Sequence, residues 1–198
     1  MRAVLLEVSP AELAHRKAIG ADRWDEMWEG VLHMTPAPGN EHQRILDELL
    51  IFLVPLLRRR GRGTLRSGIN VFDESSPTES YRIPDATFVA AGREAILVDD
   101  GVRGGSPDAV IEIRSPGDES YEKLPFYARL SVREVVIVDR DTKRPEVYRL
   151  AGNSYVAVAA DRDGWVIAET LRLRFRRAPG GQSLVVVDLD DPESRVEI

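Results

Sequence analysis

Apolar positions recur with a helical period from Glu41 to about Arg60, at Ile45, Leu49, Phe52, Leu53 and Leu56. This spacing predicts an amphipathic helix bent at Pro55 and closed by Gly61 and Gly63. A shorter helix is marked by its entry. In "VSPAEL", Ser9 suits the N-cap, Pro10 the first turn, and Glu12 completes a capping box, with Gly20 as the stop. "DEMWEGVLHM" reads as a short strand or hairpin, and "TPAPGN" as a loop. After Gly63 the pattern changes to strands: "TLRSGINVF", "YRIPDATFVA" entered through Pro84, "PDAVIEIR" and "REVVIVDR". "YEKLPFYARL" is a short helix between the last two, and Pro125 delays its start so that Lys123 lies on the entering loop. "GREAILVDDGVRGG" is irregular. "PEVYRL", "SYVAVAA" and "WVIAET" read as a meander of three strands, and "LRLRFRR" and "SLVVVDLD" add two more. Helices first, then strands, a helix and a β-rich end predict an α+β fold around one sheet.

Composition narrows the class. A chain of 198 residues suits a single domain, here 1–198. It has no cysteine, which excludes disulfides and thiolate metal sites and fits a reducing, cytoplasmic setting. The opening run is too short for a signal peptide, and the longest apolar run, "LLIFLVPLL", spans nine residues, too few to cross a bilayer. A formal net charge of −6 weighs against a broadly basic nucleic-acid binder. Local basic faces remain: Arg58, Arg59, Arg60, Arg62 and Arg66 form one cluster, and Arg172, Arg174, Arg176 and Arg177 another. Such runs are either solvated faces or phosphate-tracking surfaces. His15 and His33 have no partner at zinc-ligand spacing.

The acids on strands carry the candidate chemistry. Glu112 sits inside the apolar run "AVIEIR", and Asp85 and Asp108 each follow a proline. Asp108 and Glu112 share a face but stand roughly 13 Å apart along their strand, too far to share one metal ion. Asp108 reads as a strand-entry turn residue. Asp85 meets Glu112 if their strands are neighbours, since paired strands lie about 4.8 Å apart. Glu112 is therefore either half of a same-face ion pair with Arg114 or half of a hard-cation site with Asp85.

"IPDATFVA", "SPDAVIEIRSP" and "EKLPFYARLSVREVVIVD", preceded by "WEGVLHMTPAPGNEHQRIL", occur in an order and spacing that resembles the Uma-type restriction-endonuclease family of the PD-(D/E)XK nuclease superfamily. The family's patterns are a Pro-Asp strand, "P-D-L-V-V-E-V-x-S-P", a lysine, and "Y-x-x-x-G-V-x-E-Y-W-x-V-D", after an entry "E-x-x-x-G-x-x-x-x-M-S-P-A-P…H". The resemblance implies an αβββαβ core over about 24–148 with a mixed central sheet, additional N-terminal strands, and a β-rich extension over about 149–198. It implies Asp85, Glu112 and Lys123 as catalytic residues, with Asp85, Glu112 and the Ile113 carbonyl around Mg²⁺, or Mn²⁺ as its substitute. Lys123 matches the family's helix lysine, because the strand position that holds lysine in the superfamily is Arg114 here. Glu29 and His42 match an early glutamate and a helix histidine, and with Arg114 are expected as accessory residues. The expected partner is DNA, tracked by Arg58, Arg59, Arg60, Arg62 and Arg66, and the expected assembly is a homo-oligomer such as a homodimer, with no membrane association. Two further readings compete. One is a nuclease-fold protein that binds nucleic acid or serves as a regulatory scaffold without turnover, favoured by the altered lysine position. The other is an oligomeric protein whose acids are ordinary ion pairs.

Overall fold

The computed structural model describes residues 3–76, 78 and 80–198. The first half runs β1 (Ala3–Leu5), α1 (Pro10–Ala18), β2 (Asp25–Trp28), β3 (Val31–Met34), α2 (Asn40–Arg59), β4 (Gly63–Ser67), β5 (Val71–Phe72), β6 (Tyr81–Arg82) and β7 (Ala86–Ala90). Then come β8 (Leu97–Val98), β9 (Gly101–Val102), β10 (Ala109–Arg114), α3 (Leu124–Arg129) and β11 (Glu134–Asp139). The chain ends with β12 (Pro145–Ala151), β13 (Ser154–Ala157), β14 (Val166–Ala168), β15 (Leu173–Arg177), β16 (Leu184–Asp188) and β17 (Arg195–Glu197). This is an α+β fold with a central mixed sheet.

That central sheet has the order β13-β12-β11-β10-β7-β4. Its neighbours pair antiparallel except β10 and β11, which are parallel. A parallel pair needs a crossover, and the segment containing α3 supplies it. Within this sheet and its helices, α2, β4, β7, β10, α3 and β11 occur in the order helix, three strands, helix, strand, with β5, β6, β8 and β9 diverted to another sheet. Both faces of β10 are covered, so its sequence is apolar throughout except at Glu112 and the terminal Arg114. Ala109, Ile111 and Ile113 pack beneath α2 with Ile45, Leu49, Leu53 and Leu56, in one core with Leu173, Phe175, Leu184 and Val186 of the C-terminal strands. Val110 faces the other way, against Phe126 and Tyr127 of α3 and Val135 and Ile137 of β11. Leu53 is fully buried, and truncating such a residue to Ala costs about 2–5 kcal/mol.

Local signals in the sequence account for the entries and turns. Ser9 caps α1, accepting from the Glu12 amide at 3.1 Å. Glu29 and Gly30 both take positive φ, 48° and 87°, in the two-residue loop that joins β2 to β3, the backbone such a loop requires. Gly63 ends the α2 connection where any Cβ would fall 2.2 Å from the Val89 carbonyl oxygen, so only glycine lets β4 approach β7 there. Pro55 lies within α2 and does not end it.

Three expectations are corrected. "YRIPDATFVA" is not one strand. The Ile83-Pro84-Asp85 break sends β6 to the seven-stranded sheet β1-β3-β2-β6-β5-β9-β8 and β7 to the central one, because proline cannot donate to a ladder. "WVIAET" does not continue the β12–β13 hairpin. It forms β14, at the edge of a separate sheet β14-β15-β16-β17. Part of "GREAILVDDGVRGG", read as irregular, pairs as β8 and β9. Among the described residues no helix is long and apolar enough to cross a membrane.

Candidate active site

Strand register brings the two principal acids together. β7 and β10 are antiparallel with Ile111 opposite Ala86, so Asp85, just before β7, lies beside Glu112 at the end of this pairing, with Glu112 on the face that carries α3. The Asp85 Oδ2 accepts from the Ile113 amide at 2.6 Å and lies 3.1 Å from His42 Nε2. His42 reaches it from the first turn of α2. Glu112 is buried, and its Oε1 accepts from the Tyr127 hydroxyl at 2.6 Å.

Lys123 joins them from the start of α3. It occupies the N-cap position, with Pro125 in the first turn. Its Nζ is 3.4 Å from Glu112 Oε1, 2.8 Å from Glu26 Oε1 and 3.4 Å from the Ile83 carbonyl oxygen. Glu26, buried on β2, also accepts from the Ile83 amide and the Trp28 indole, each at 2.8 Å. The break at Ile83-Pro84-Asp85 is thereby held on both sides. Its backbone binds Glu26 and Lys123, and its aspartate binds β10.

Three acids around one ammonium distort the proton equilibria. Burial raises the Glu112 carboxyl; Lys123 opposes this, Asp85 reinforces it, and its pKa is pushed up to about 8. Burial works against the Lys123 ammonium, but Glu112 and Glu26 outweigh burial and lift its pKa above the ordinary value. Burial and Glu112 together keep Tyr127 a neutral donor, its pKa well above that of a free phenol. Burial works against the imidazolium of His42, yet its hydrogen bond to Asp85 prevails and its pKa rises. The His42 Nδ1 is buried without a hydrogen-bond partner.

Other expected residues lie elsewhere. Arg114 is turned to Asp139 at 2.7 Å and sits over the Tyr121 ring, 5.2 Å from its centroid. Glu29 is exposed at the β2–β3 turn and pairs with Arg129 at 2.6 Å and Arg82 at 3.3 Å; Glu26 takes the place expected of it. The acid-to-glycine spacing in "E-x-x-x-G" points to Glu26, four residues before Gly30, and was the signal for this residue. Tyr127 stands in the pattern's tyrosine position before Ser131, and that match is its only signal in the sequence. Asp108 is buried at the opposite end of β10, bound to the Ala90 amide at 2.8 Å and Arg93 at 2.6 Å, and is more than a turn residue. The five arginines expected to track phosphate do not share one environment. Arg60 and Arg62 bind Asp188 at 3.1 and 2.5 Å. Arg58, Arg59 and Arg66 are exposed, but the first two end α2 roughly 25 Å from His42 at 1.5 Å per residue.

The donors near Asp85 and Glu112 are carboxylate oxygens with the Ile113 backbone between them. Glu112 Oε2 and Asp85 Oδ1 accept no hydrogen bond among the described residues. Hard oxygen donors of this kind fit Mg²⁺, which takes one or two carboxylates and fills its remaining positions with water and substrate oxygens. Among the described residues no group of three or more His, Asp or Glu side chains is gathered for a metal ion, so an all-protein cage is not built here.

The family model described as Uma2, putative restriction endonuclease, matches residues 14–180. A crystal structure of a putative nuclease belonging to DUF820 from Anabaena variabilis is similar in fold. The TM-score is 0.59 at 17% sequence identity, covering 74% of this chain and 82% of that one. No curated protein matches the chain.

Proposed function

The chain belongs to the Uma2 family of putative restriction endonucleases, and from that premise we propose that it is a divalent-metal-dependent endonuclease hydrolysing DNA phosphodiester bonds. The observation that carries this reading is the convergence of Asp85, Glu112 and Lys123 at one end of the central sheet, with the Lys123 ammonium 3.4 Å from the Glu112 carboxylate. Asp85, Glu112 and the Ile113 carbonyl would hold Mg²⁺ or Mn²⁺. Such an ion supplies Lewis-acid polarisation of a phosphoryl oxygen and a water acidic enough to attack at neutral pH.

The protein's own groups have separable tasks. Lys123, whose pKa is raised by Glu112 and Glu26, keeps its proton and acts as a fixed positive charge rather than as a base, stabilising negative charge that develops on the phosphate. Tyr127 donates to Glu112 and fixes its rotamer. His42 and the Ile113 amide fix Asp85. Glu26 holds Lys123 against the sheet.

A supercoiled-plasmid assay with purified protein tests the proposal. Nicking should require Mg²⁺ or Mn²⁺, stop with chelator, and be absent in Asp85→Asn. By calorimetry, Asp85→Ala or Glu112→Ala should weaken Mn²⁺ binding at least tenfold, about 1.4 kcal/mol. Metal binding unaffected by both substitutions would remove the metal site from the reading. Nucleic-acid binding with no cleavage under any divalent ion would favour the non-catalytic alternative, which Arg114 at the usual lysine position supports.

A further inference from the structure

We propose that the nucleic-acid backbone is carried by an arginine track that leaves the carboxylate cluster at Arg114, crosses Arg144 and Arg177, and ends at Arg176 and Arg174 on the outer face of the C-terminal sheet. This rests on the reading that the substrate is nucleic acid. It moves the binding surface away from the arginines at the end of α2.

Two clefts define the path. The first, of about 420 Å³, is lined by Arg114, Tyr121, Asp139, Arg144, Glu146 and Arg177, among others. Arg114 is two residues beyond Glu112 on the same strand face, about 7 Å on. The second is a shallow, open depression lined by Asp163, Arg176, Arg177 and the turn 178–181. Arg177 borders both, so the clefts adjoin and a chain lying in one can continue into the other.

The register of β15 sets the far end. Leu173 and Phe175 enter the core, so Arg174 and Arg176 project from the opposite face, across from Val187 and Val185 of β16. Both guanidinium carbons stand 4.4 Å from the centroid of the Trp165 ring. Stacking on a nearly buried tryptophan holds them in place, so less freedom is lost when an anion binds.

The pairing of these arginines differs from that of the others. Arg60, Arg62 and Arg172 are all bound to aspartates. Among the described residues, Arg174, Arg176 and Arg177 have no acidic partner; Arg177 donates to the Gly181 carbonyl at 2.9 and 3.0 Å. The Arg176 Nε is buried with no acceptor, which leaves the guanidinium to present its terminal nitrogens to an anion. At the start of the path Arg114 pairs with Asp139 at 2.7 Å and Arg144 with Glu146 at 3.7 Å, so the guanidinium groups without an acidic partner lie at its far end, where Asp163 borders the second surface and Glu197 stands across β16 from Arg176. Tyr121, 37% exposed beside Arg114, offers a ring face to a base next to the reacting phosphate.

Fluorescence anisotropy with a short labelled DNA duplex in chelator, where no turnover occurs, tests the track. The full chain should bind at low salt with a steep salt dependence. The variant Arg174→Gln/Arg176→Gln/Arg177→Gln should bind at least about tenfold more weakly and lose about 2.7 from the log–log salt slope, at ~0.9 per phosphate contact. The pair Arg174→Lys/Arg176→Lys keeps the charges and should keep the slope. Arg58→Gln/Arg59→Gln/Arg66→Gln should change neither quantity. If loosening Trp165 lowers the melting temperature of the triple variant, Arg144→Gln/Arg177→Gln reads the same track from exposed positions and should lose about 1.8 of slope. Wild-type-like binding by the Arg174/Arg176/Arg177 and Arg144/Arg177 variants overturns the track and leaves the nuclease reading standing, as does a loss confined to the α2-end variant. A lysine pair as weak as the triple variant, at unchanged melting temperature, overturns charge as the cause and the track with it. Failure of the wild-type chain to bind at low salt overturns both the track and the nucleic-acid reading.

Discussion

At one end of α2, Arg60 and Arg62 close on Asp188; at the other, His42 leans on Asp85 beside Glu112. Both ends bury acids, and they treat them differently. Asp188 is fully buried, but it meets two guanidinium groups and also accepts from the Asp190 amide at 3.1 Å. Each charge there has a partner, and the result is a clip between the helix end and the C-terminal sheet. At the near end Glu26, Asp85 and Glu112 share Lys123 and His42. Acid is in surplus, and the Glu112 carboxyl is pushed up to about 8. A buried network with its charges matched is a structural device. One that leaves a carboxyl far from its ordinary pKa is characteristic of a site of chemistry.

The sharpest way to break this contrast is to neutralise an acid at each end. Asp85→Asn or Glu112→Gln should cut cleavage by about 10³-fold or more if these groups bind the metal that polarises the phosphate. The fold should survive, because the change removes charge from a crowded site. Asp188→Asn should leave cleavage per folded molecule unchanged and lower the melting temperature. Equal loss of cleavage in both would show that the near-end acids matter only through stability.

Lys123→Ala should come next in size. About 10²-fold in cleavage is the scale for losing one positioned charge-stabilising group. The variant should also be less stable, by roughly 3–5 kcal/mol, since Glu26 and Glu112 would lose their shared cation while buried. Adding Glu112→Gln should recover part of that stability but none of the activity, a coupling that chemical-denaturation midpoints can read. Full activity in Lys123→Ala together with loss in Arg114→Ala would return the role to the strand position.

Arg62→Ala sharpens the other side. Arg62 is 10% exposed in its side chain and Asp188 not at all, while Arg60 remains as a partner. Losing the buried charged hydrogen bond to Asp188, together with the more exposed pair to Asp190 at 2.7 Å, should cost about 2–3 kcal/mol, visible as a lower urea midpoint with unchanged cleavage of the folded fraction.

Much of the near site was legible because its parts are local. Pro-Asp before β7, an acid inside an isoleucine-rich strand, and Pro125 just after Lys123 each constrain a few residues, and strand pairing does the rest. The late start of α3 follows from proline chemistry alone and places Lys123 at the helix entrance. Glu26 was harder to find, because "RWDEMWEG" offers several acids and the hairpin twist decides which one points to Lys123. Glu29 sits at the turn with φ of 48° and faces solvent and Arg129 instead. The far clip was illegible for another reason. Arg62 and Asp188 are 126 residues apart, and no local pattern distinguishes an arginine awaiting phosphate from one already bound to aspartate. Similarly, β14 carries the same alternation as β13, and only packing assigns it to another sheet.

The smallest effect separates the two ends by pH. A Glu112 carboxyl pushed up to about 8 in the folded protein holds a proton that the unfolded chain has released once pH passes about 4.3, the ordinary value. Between those limits the folded state binds more protons than the unfolded state, so stability falls as pH rises. His42 acts in the same direction. Its folded pKa is raised by Asp85, so its contribution is complete below its unfolded value and is lost as pH climbs through the folded one. Lys123, raised from an already high value, keeps its contribution throughout. Glu41, held down to about 2 by Arg44 and Lys143, loses its stabilising effect only in stronger acid. In chelator, the protein should therefore be more stable at pH 5 than at pH 8, by on the order of 1 kcal/mol, since Lys123 and Tyr127 keep part of the Glu112 charge and reduce the linked proton uptake. Denaturation midpoints across that range should slope in the wild type and in Arg62→Ala alike, and lie nearly flat in Glu112→Gln/His42→Gln. A slope that persists in the double variant, or disappears in Arg62→Ala, would place the titrating groups outside the near-end cluster.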